Sequence, residues 1–184
     1  MQGFDASRIA ALFTDHGGTY HAARWRRPIA PVVFGVDDAT LAAVKDAIEA
    51  AVATAGHSMA ETDPEMGANL WFFFFAEWAE LLAVPDLEGL VAGLGPLVAR
   101  ASAADAQQAR IFRHEADGAI RAAFVFLRMS GALADVPADV LALDQALRLL
   151  APFAEGGLSA GDTVVDGPGG ATIAPRMAAL LRAI

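Results

Sequence analysis

The chain of 184 residues offers few groups able to do chemistry: four histidines, no cysteine, 22 carboxylate side chains and 13 lysines and arginines. His16 and His21, with Asp15 beside the first, bracket Gly17-Gly18 in a predicted loop. Imidazole and carboxylate are zinc ligands, so His16 and His21 are the candidate metal ligands, although neither belongs to a helical His-Glu-x-x-His pair. Solvent-exposed loop histidines are the plainer reading. Glu61, Asp63, Glu65 and Asn69 offer oxygen donors suited to a hard cation, without the spacing of a calcium loop, and also read as a solvated acidic loop. His114-Glu115 falls on a predicted strand, where neighbouring side chains point to opposite faces and cannot act as one acid/base pair. His57 follows Gly56 at a predicted helix end, where a cation is favoured. Arg24, Arg26 and Arg27 cluster in a chain of formal charge −9 and form a candidate anion site, or else pair with surface carboxylates. Trp78, and any ring of Phe72–Phe75 that protrudes, is a candidate partner-binding surface.

Several chemistries are absent. There is no Gly-x-Ser-x-Gly, no Ser-x-x-Lys, no Gly-Lys-Ser/Thr phosphate loop and no dinucleotide fingerprint. With no cysteine there is neither a thiolate nucleophile nor a disulfide. The negative charge argues against a nucleic-acid or anionic-membrane surface. No cofactor is implied. The composition fits a reducing cytoplasm, and equally a secreted protein after removal of a signal segment. The first residues carry no basic-then-apolar signal pattern.

The elements that must position these residues follow from patterning. Mean hydropathy is +0.42, yet no apolar run approaches the roughly 18 residues of a membrane span. The run 69–76, with four consecutive phenylalanines, reads as a central strand covered on both faces. A strand at 29–36, frayed by Pro28 and Pro31, reads as an edge. A helix at 39–55, capped by Asp38 and stopped by Gly56, joins the two in a βαβ-like opening. An earlier helix runs from about Asp5 to Gly17-Gly18. Glu77 to Leu82 reads as a short helix, and Pro85 opens another that its glycines weaken. Strands at 109–116 and 119–129 flank Asp117-Gly118, a two-residue turn signal. Pro137 at the first helical position opens a helix to 151, a glycine-rich segment covers 156–170, and a final helix spans 175–184. These predict one α+β domain with a mixed central sheet packed by the helices at 39–55, 137–151 and 175–184.

In this order of elements the chain resembles a bacterial family of uncharacterised zincin-like proteins. The resemblance rests on Arg24-Trp25 with Pro28, on Ala68-Asn69-Leu70 opening the aromatic strand, and on Gln145-Ala146-Leu147-Arg148-Leu149 ahead of a Ser/Asp/Gly segment and a leucine-rich closing helix. It implies a zincin-like fold, in which a helix-borne glutamate and neighbouring ligands perform metal hydrolysis in true peptidases. Leu141 and Ala142 stand where that family has paired acidic residues, and the helix carries no histidine, so the resemblance implies a degenerate, non-catalytic member. The expected function is binding of a protein or small-molecule partner. The alternatives are a metal-dependent hydrolase using His16, His21 and the 61–65 carboxylates, or a self-associating protein whose aromatic strand forms a homodimer interface.

Overall fold

A strand without a polar side chain is stable only where both faces are covered, and Leu70–Phe75 lies in such a place. The computed structural model describes residues 5–152 and 160–183. Its helices are α1 (Ala6–Leu12), α2 (Asp38–Thr54), α3 (Leu87–Leu90), α4 (Leu94–Ala103), α5 (Ala138–Leu150), α6 (Ala160–Thr163) and α7 (Pro175–Ala183). Its strands are β1 (Pro31–Phe34), β2 (Leu70–Phe75), β3 (Gln108–His114), β4 (Ile120–Arg128), β5 (Val164–Gly167) and β6 (Gly170–Ile173). The main sheet has the order β1-β2-β4-β3, with β1, β2 and β4 parallel and β3 antiparallel to β4. It is the mixed sheet of one α+β domain, and β5 and β6 form a separate two-stranded ribbon.

All six residues of β2 are buried. Phe72 and Phe74 pack with α2, α5 and α7 on one face, while Trp71, Phe73 and Phe75 pack with α4 and the 3-10 turn Trp78–Ala83 on the other. Parallel register aligns rings across strands. Phe34, Phe73 and Phe126 stack in sequence at centroid distances of 5.0 and 5.4 Å, and Trp71 lies 4.6 Å from Phe124. The aromatic strand is therefore interior, and no ring of Phe72–Phe75 protrudes from the chain. Among these stacked rings only Phe34, on the edge strand, is exposed.

Trp78 is likewise not a surface residue. It is 1% exposed, and its Nε1 donates to the Ala106 carbonyl at 2.7 Å. The indole is the apolar plug of the second face, held at its polar tip.

Other boundaries shift for local reasons. β1 is only four residues long, because Pro31 and Gly35 bound it, and Ile29 instead bridges Met59. Gly35 has φ +83, and a Cβ there would lie 1.9 Å from the Phe74 carbonyl oxygen, so no other residue fits. The cap of α2 is Asp37 rather than Asp38, its Oδ1 accepting from the Thr40 N–H at 2.8 Å. The α2 terminus is a Schellman motif, with Gly56 N–H on the Ala53 carbonyl and His57 N–H on the Val52 carbonyl. Pro137 is the cap of α5, not its first helical residue. α1 ends at Leu12, before Gly17-Gly18. The Asp117-Gly118 hairpin has a three-residue loop: Glu115 N–H reaches the Ala119 carbonyl, with Gly118 at φ +85. The glycine-weakened helix divides into α3 and α4. In the glycine-rich segment, residues 156–159 fall outside the described residues, and from Ala160 on the chain forms α6, β5 and β6.

The entry to β2 is fixed by Asn69, which is fully buried. Its Oδ1 accepts from Ala30 N–H at 2.8 Å, and its Nδ2 donates to the Pro28 carbonyl at 2.9 Å and to Asp63 Oδ2 at 3.2 Å. Asn69→Ala removes all three bonds and leaves the buried Ala30 N–H without its partner, a loss of about 1–3 kcal/mol for such a group. We expect a loss of about 2–4 kcal/mol by urea denaturation followed by tryptophan fluorescence, against a few tenths for the exposed Glu61→Ala. Equal effects would remove Asn69 as the clamp.

Candidate functional site

Two of the three arginines near β1, Arg26 and Arg27, meet carboxylates. Arg27 NH2 is 2.7 Å from Glu65 Oε1 and 3.5 Å from Glu115 Oε1, and NH1 is 3.8 Å from Asp63 Oδ2. Glu65 Oε2 also takes Arg121 at 3.0 Å, and Arg26 pairs with Asp117. Arg24 is exposed beside a small crevice near Trp25, His57 and Leu181. The trio forms no shared anion cradle, because Arg26 and Arg27 are bound by the chain's own acids.

The same network accounts for the acidic loop. Burial pushes the Asp63 carboxyl up, but the Met66 and Glu65 N–H groups, Asn69 and Arg27 together outweigh it and hold the group below the ordinary carboxylate value. Glu65 is lowered first by its hydrogen bond to Arg27. Asp63 is a structural carboxylate, tying the loop to β2 through Asn69 and to Arg27.

His16 and His21 lie elsewhere, on an open cleft of about 780 Å³ shared with Asp15, Tyr20, Phe112 and His114. His21 Nε2 pairs with Asp15 Oδ2 at 2.8 Å, while Asp15 Oδ1 accepts from the Gly17 and Thr19 N–H groups. Asp15 is lowered chiefly by His21 and then by Thr19. None of the 61–65 carboxylates lines this cleft. The hydrolase constellation of His16, His21 and loop acids is thus not assembled, since Asp63 and Glu65 are turned to Arg27. Among the described residues, no group of three or more histidine, aspartate or glutamate side chains is gathered to hold a metal ion. β3 ends at His114 rather than at 116, so His114 lines the cleft from the strand's last position while Glu115, just past it, turns to Arg27.

A further polar cluster joins α5 to β3. Gln145 is 1% exposed; its Oε1 accepts from Arg110 Nε at 3.1 Å and NH2 at 2.7 Å, and its Nε2 donates to Gln108 Oε1 at 3.0 Å. Asp144 accepts from Arg148 Nε at 2.8 and 3.0 Å and from the Thr163 hydroxyl at 2.6 Å. Trp25 Nε1 donates to the Leu149 carbonyl at 2.7 Å, fastening the approach to β1 onto the last turn of this helix. Leu141 and Ala142 lie in the core beneath the sheet.

This cluster is not singled out by motif, but one signal for it exists. Gln145 falls on the apolar stripe of Leu141, Ala142 and Leu149, where a polar residue demands a buried partner. Gln108 and Arg110 supply it from alternate positions of one strand face. Comparison of the chain with protein-family models, curated proteins and solved structures returns no match.

Asp15, Asp37, Asp63, Glu65, Asp117 and Asp139 all lie below their ordinary values. A carboxyl depressed on folding contributes stability that is complete above its unfolded value, about 4, and is lost as pH falls through the folded value. We expect the urea midpoint to fall steeply below about pH 4. In Asp63→Asn, less stable at neutral pH, that decline becomes shallower. An unchanged slope would show that Asp63 takes no part in it.

Proposed function

We propose that this chain is a non-catalytic binding domain on a zincin-like scaffold, and that its ligand lies in the cleft between the 15–23 loop and the Phe112–His114 end of β3. The observation that carries the reading is the content of α5. A metallopeptidase helix places two histidine ligands at i and i+4 and a glutamate base at i+1. Leu141 and Ala142, where the resemblance puts acidic residues, are buried in the core, and the one turn of α5 with polar residues at that spacing carries Asp144, Gln145 and Arg148.

Arginine stays cationic and has no lone pair to offer a metal, and an amide does not serve as a general base. Across the turn where a zinc ion would need two donors, Arg148 and Asp144 form an ion pair. Gln145 at the base position is occupied by Arg110 and Gln108. The sheet supports the same reading: among the described residues β3 is an edge strand with no strand paired to its outer side, a surface to which extended ligands add. The cleft at its far end, about 780 Å³, has the size of a ligand site.

The triple substitution Asp144→His, Gln145→Glu and Arg148→His tests scaffold and inactivity together. On a zincin-like scaffold we expect the folded variant to take up zinc. The unsubstituted protein should show no chelator-sensitive hydrolysis of a fluorogenic peptide library. Such hydrolysis would overturn the non-catalytic reading. A variant with native near-ultraviolet dichroism and no zinc uptake would overturn the scaffold.

A further inference from the structure

The main sheet has two edges, and they are built differently. β1 is four residues long and bounded by Pro31 and Gly35, which discourages a further strand. β3 runs for seven residues and contains neither proline nor glycine. The Arg128 N–H donates to the Gln107 carbonyl at 2.8 Å, which fixes the alternation along the strand. Ala109, Ile111 and Arg113 therefore bond to β4, and the N–H and C=O groups of Gln108, Arg110 and Phe112 point the other way. Among the described residues no backbone group meets them.

The side chains of this edge are only half covered. Ala109 and Ile111 pack against the cluster of Trp71 and Phe124, yet both stay partly open at the margin of the sheet. Arg113 continues that face two residues on, opposite Ala122. It is partly buried and, among the described residues, has neither a hydrogen bond nor a carboxylate for its side chain. The acids nearest it in sequence, Asp105, Glu115 and Asp117, are taken by Arg128, Arg27 and Arg26. In a chain of formal charge −9, β3 carries two arginines and a histidine and no acid.

We infer that β3 is a docking edge for an extended, acidic segment of a partner protein, which adds antiparallel as a fifth strand. Its backbone bonds form at Gln108, Arg110 and Phe112. Ala109, Ile111 and Arg113 then fall in the closely spaced pairs, where facing side chains approach most nearly. A carboxylate opposite Arg113 supplies the countercharge, and apolar residues opposite Ile111 and Ala109 complete the cover of that face. Read in the partner's own direction, the pattern is acid-x-apolar-x-apolar. A second copy of this chain does not meet it. Two β3 strands paired about Ile111 set Arg113 against Ala109 and Arg110 against Phe112, bringing arginines together without an acid. The charges that deter self-pairing are the ones that admit an acidic strand. The inference goes beyond the cleft ligand proposed above and needs neither the cleft nor the scaffold.

The test is amide-resonance titration of the full chain with acetyl-Glu-Thr-Val-Thr-Val-Thr-amide, and with the same peptide carrying Gln for Glu, at matched ionic strength. We expect saturable shifts and slowed hydrogen exchange at Gln108, Arg110 and Phe112. Binding of the Gln peptide should be weaker by about threefold to fivefold. N-methylation of the second threonine, whose N–H faces Arg110, should abolish binding, whereas N-methylation of the valine before it should be tolerated. Arg113→Glu should prefer a peptide with Lys in place of Glu. Equal binding of the Glu and Gln peptides, or an unreversed preference in folded Arg113→Glu, overturns the inference. Shifts confined to His16, His21 and their cleft overturn it and leave the cleft ligand standing. A sedimenting dimer that the peptide does not dissociate gives the edge to a second copy and overturns it also, as does the absence of any shift. The non-catalytic reading falls separately, on chelator-sensitive hydrolysis.

Discussion

The rest of the structure depends on the complete burial of β2. Six consecutive apolar side chains, five of them aromatic, leave no face that tolerates water. The chain therefore supplies two covers: α2, α5 and α7 on one side, and α4 with the Trp78–Ala83 turn on the other. Parallel neighbours on both edges satisfy the backbone of β2 and align its rings with Phe34, Phe124 and Phe126. The short edge strand β1, bounded by Pro31 and Gly35, closes one side of the sheet, and β3 is left as the longer open edge.

Burial at the centre explains why so much of the polar chemistry near β1 is structural. A strand entering an apolar slab must satisfy the last polar groups at its mouth, and Asn69 does this for Ala30, Pro28 and Asp63. Asp63 in turn needs countercharge, which draws in Arg27, and Arg27 draws Glu65 and Glu115. Residues whose types suit a hard cation or an anion are in this way turned toward one another. The cluster between β3 and α5 differs in one respect, since its strand-borne cation has only amides to meet.

Strong local patterns were legible in the sequence. The apolar run, the single-sided helix α2 and the parallel β1-α2-β2 opening follow from periodicity and from the Gly56 stop. The position of the hairpin follows from Asp117-Gly118. Its loop length does not, because Gly118 in the left-handed region serves two-residue and three-residue turns alike. Trp78 could not be placed without knowing that Ala106 comes back to meet its indole. The β5–β6 ribbon is hidden by glycines that read as loop. At the site, His114 and Glu115 do face apart, but Glu115 lies past the end of β3 and not on the strand that the alternation argument assumes. The separation of His16 and His21 from Asp63 and Glu65 was not, because it depends on which loop faces Arg27. The Arg110 cluster was foreshadowed only by a glutamine on the apolar stripe of α5.

In α5, Asp144 and Arg148 form an ion pair and Gln145 accepts from Arg110 of the neighbouring strand, so these polar groups are engaged with one another. The most direct measurement is elemental analysis of protein purified without chelators and without a metal-affinity step. The account predicts no transition metal in stoichiometric amount. One equivalent of zinc per chain, lost on substitution of Asp144, would contradict it and would make α5 a metal-binding helix.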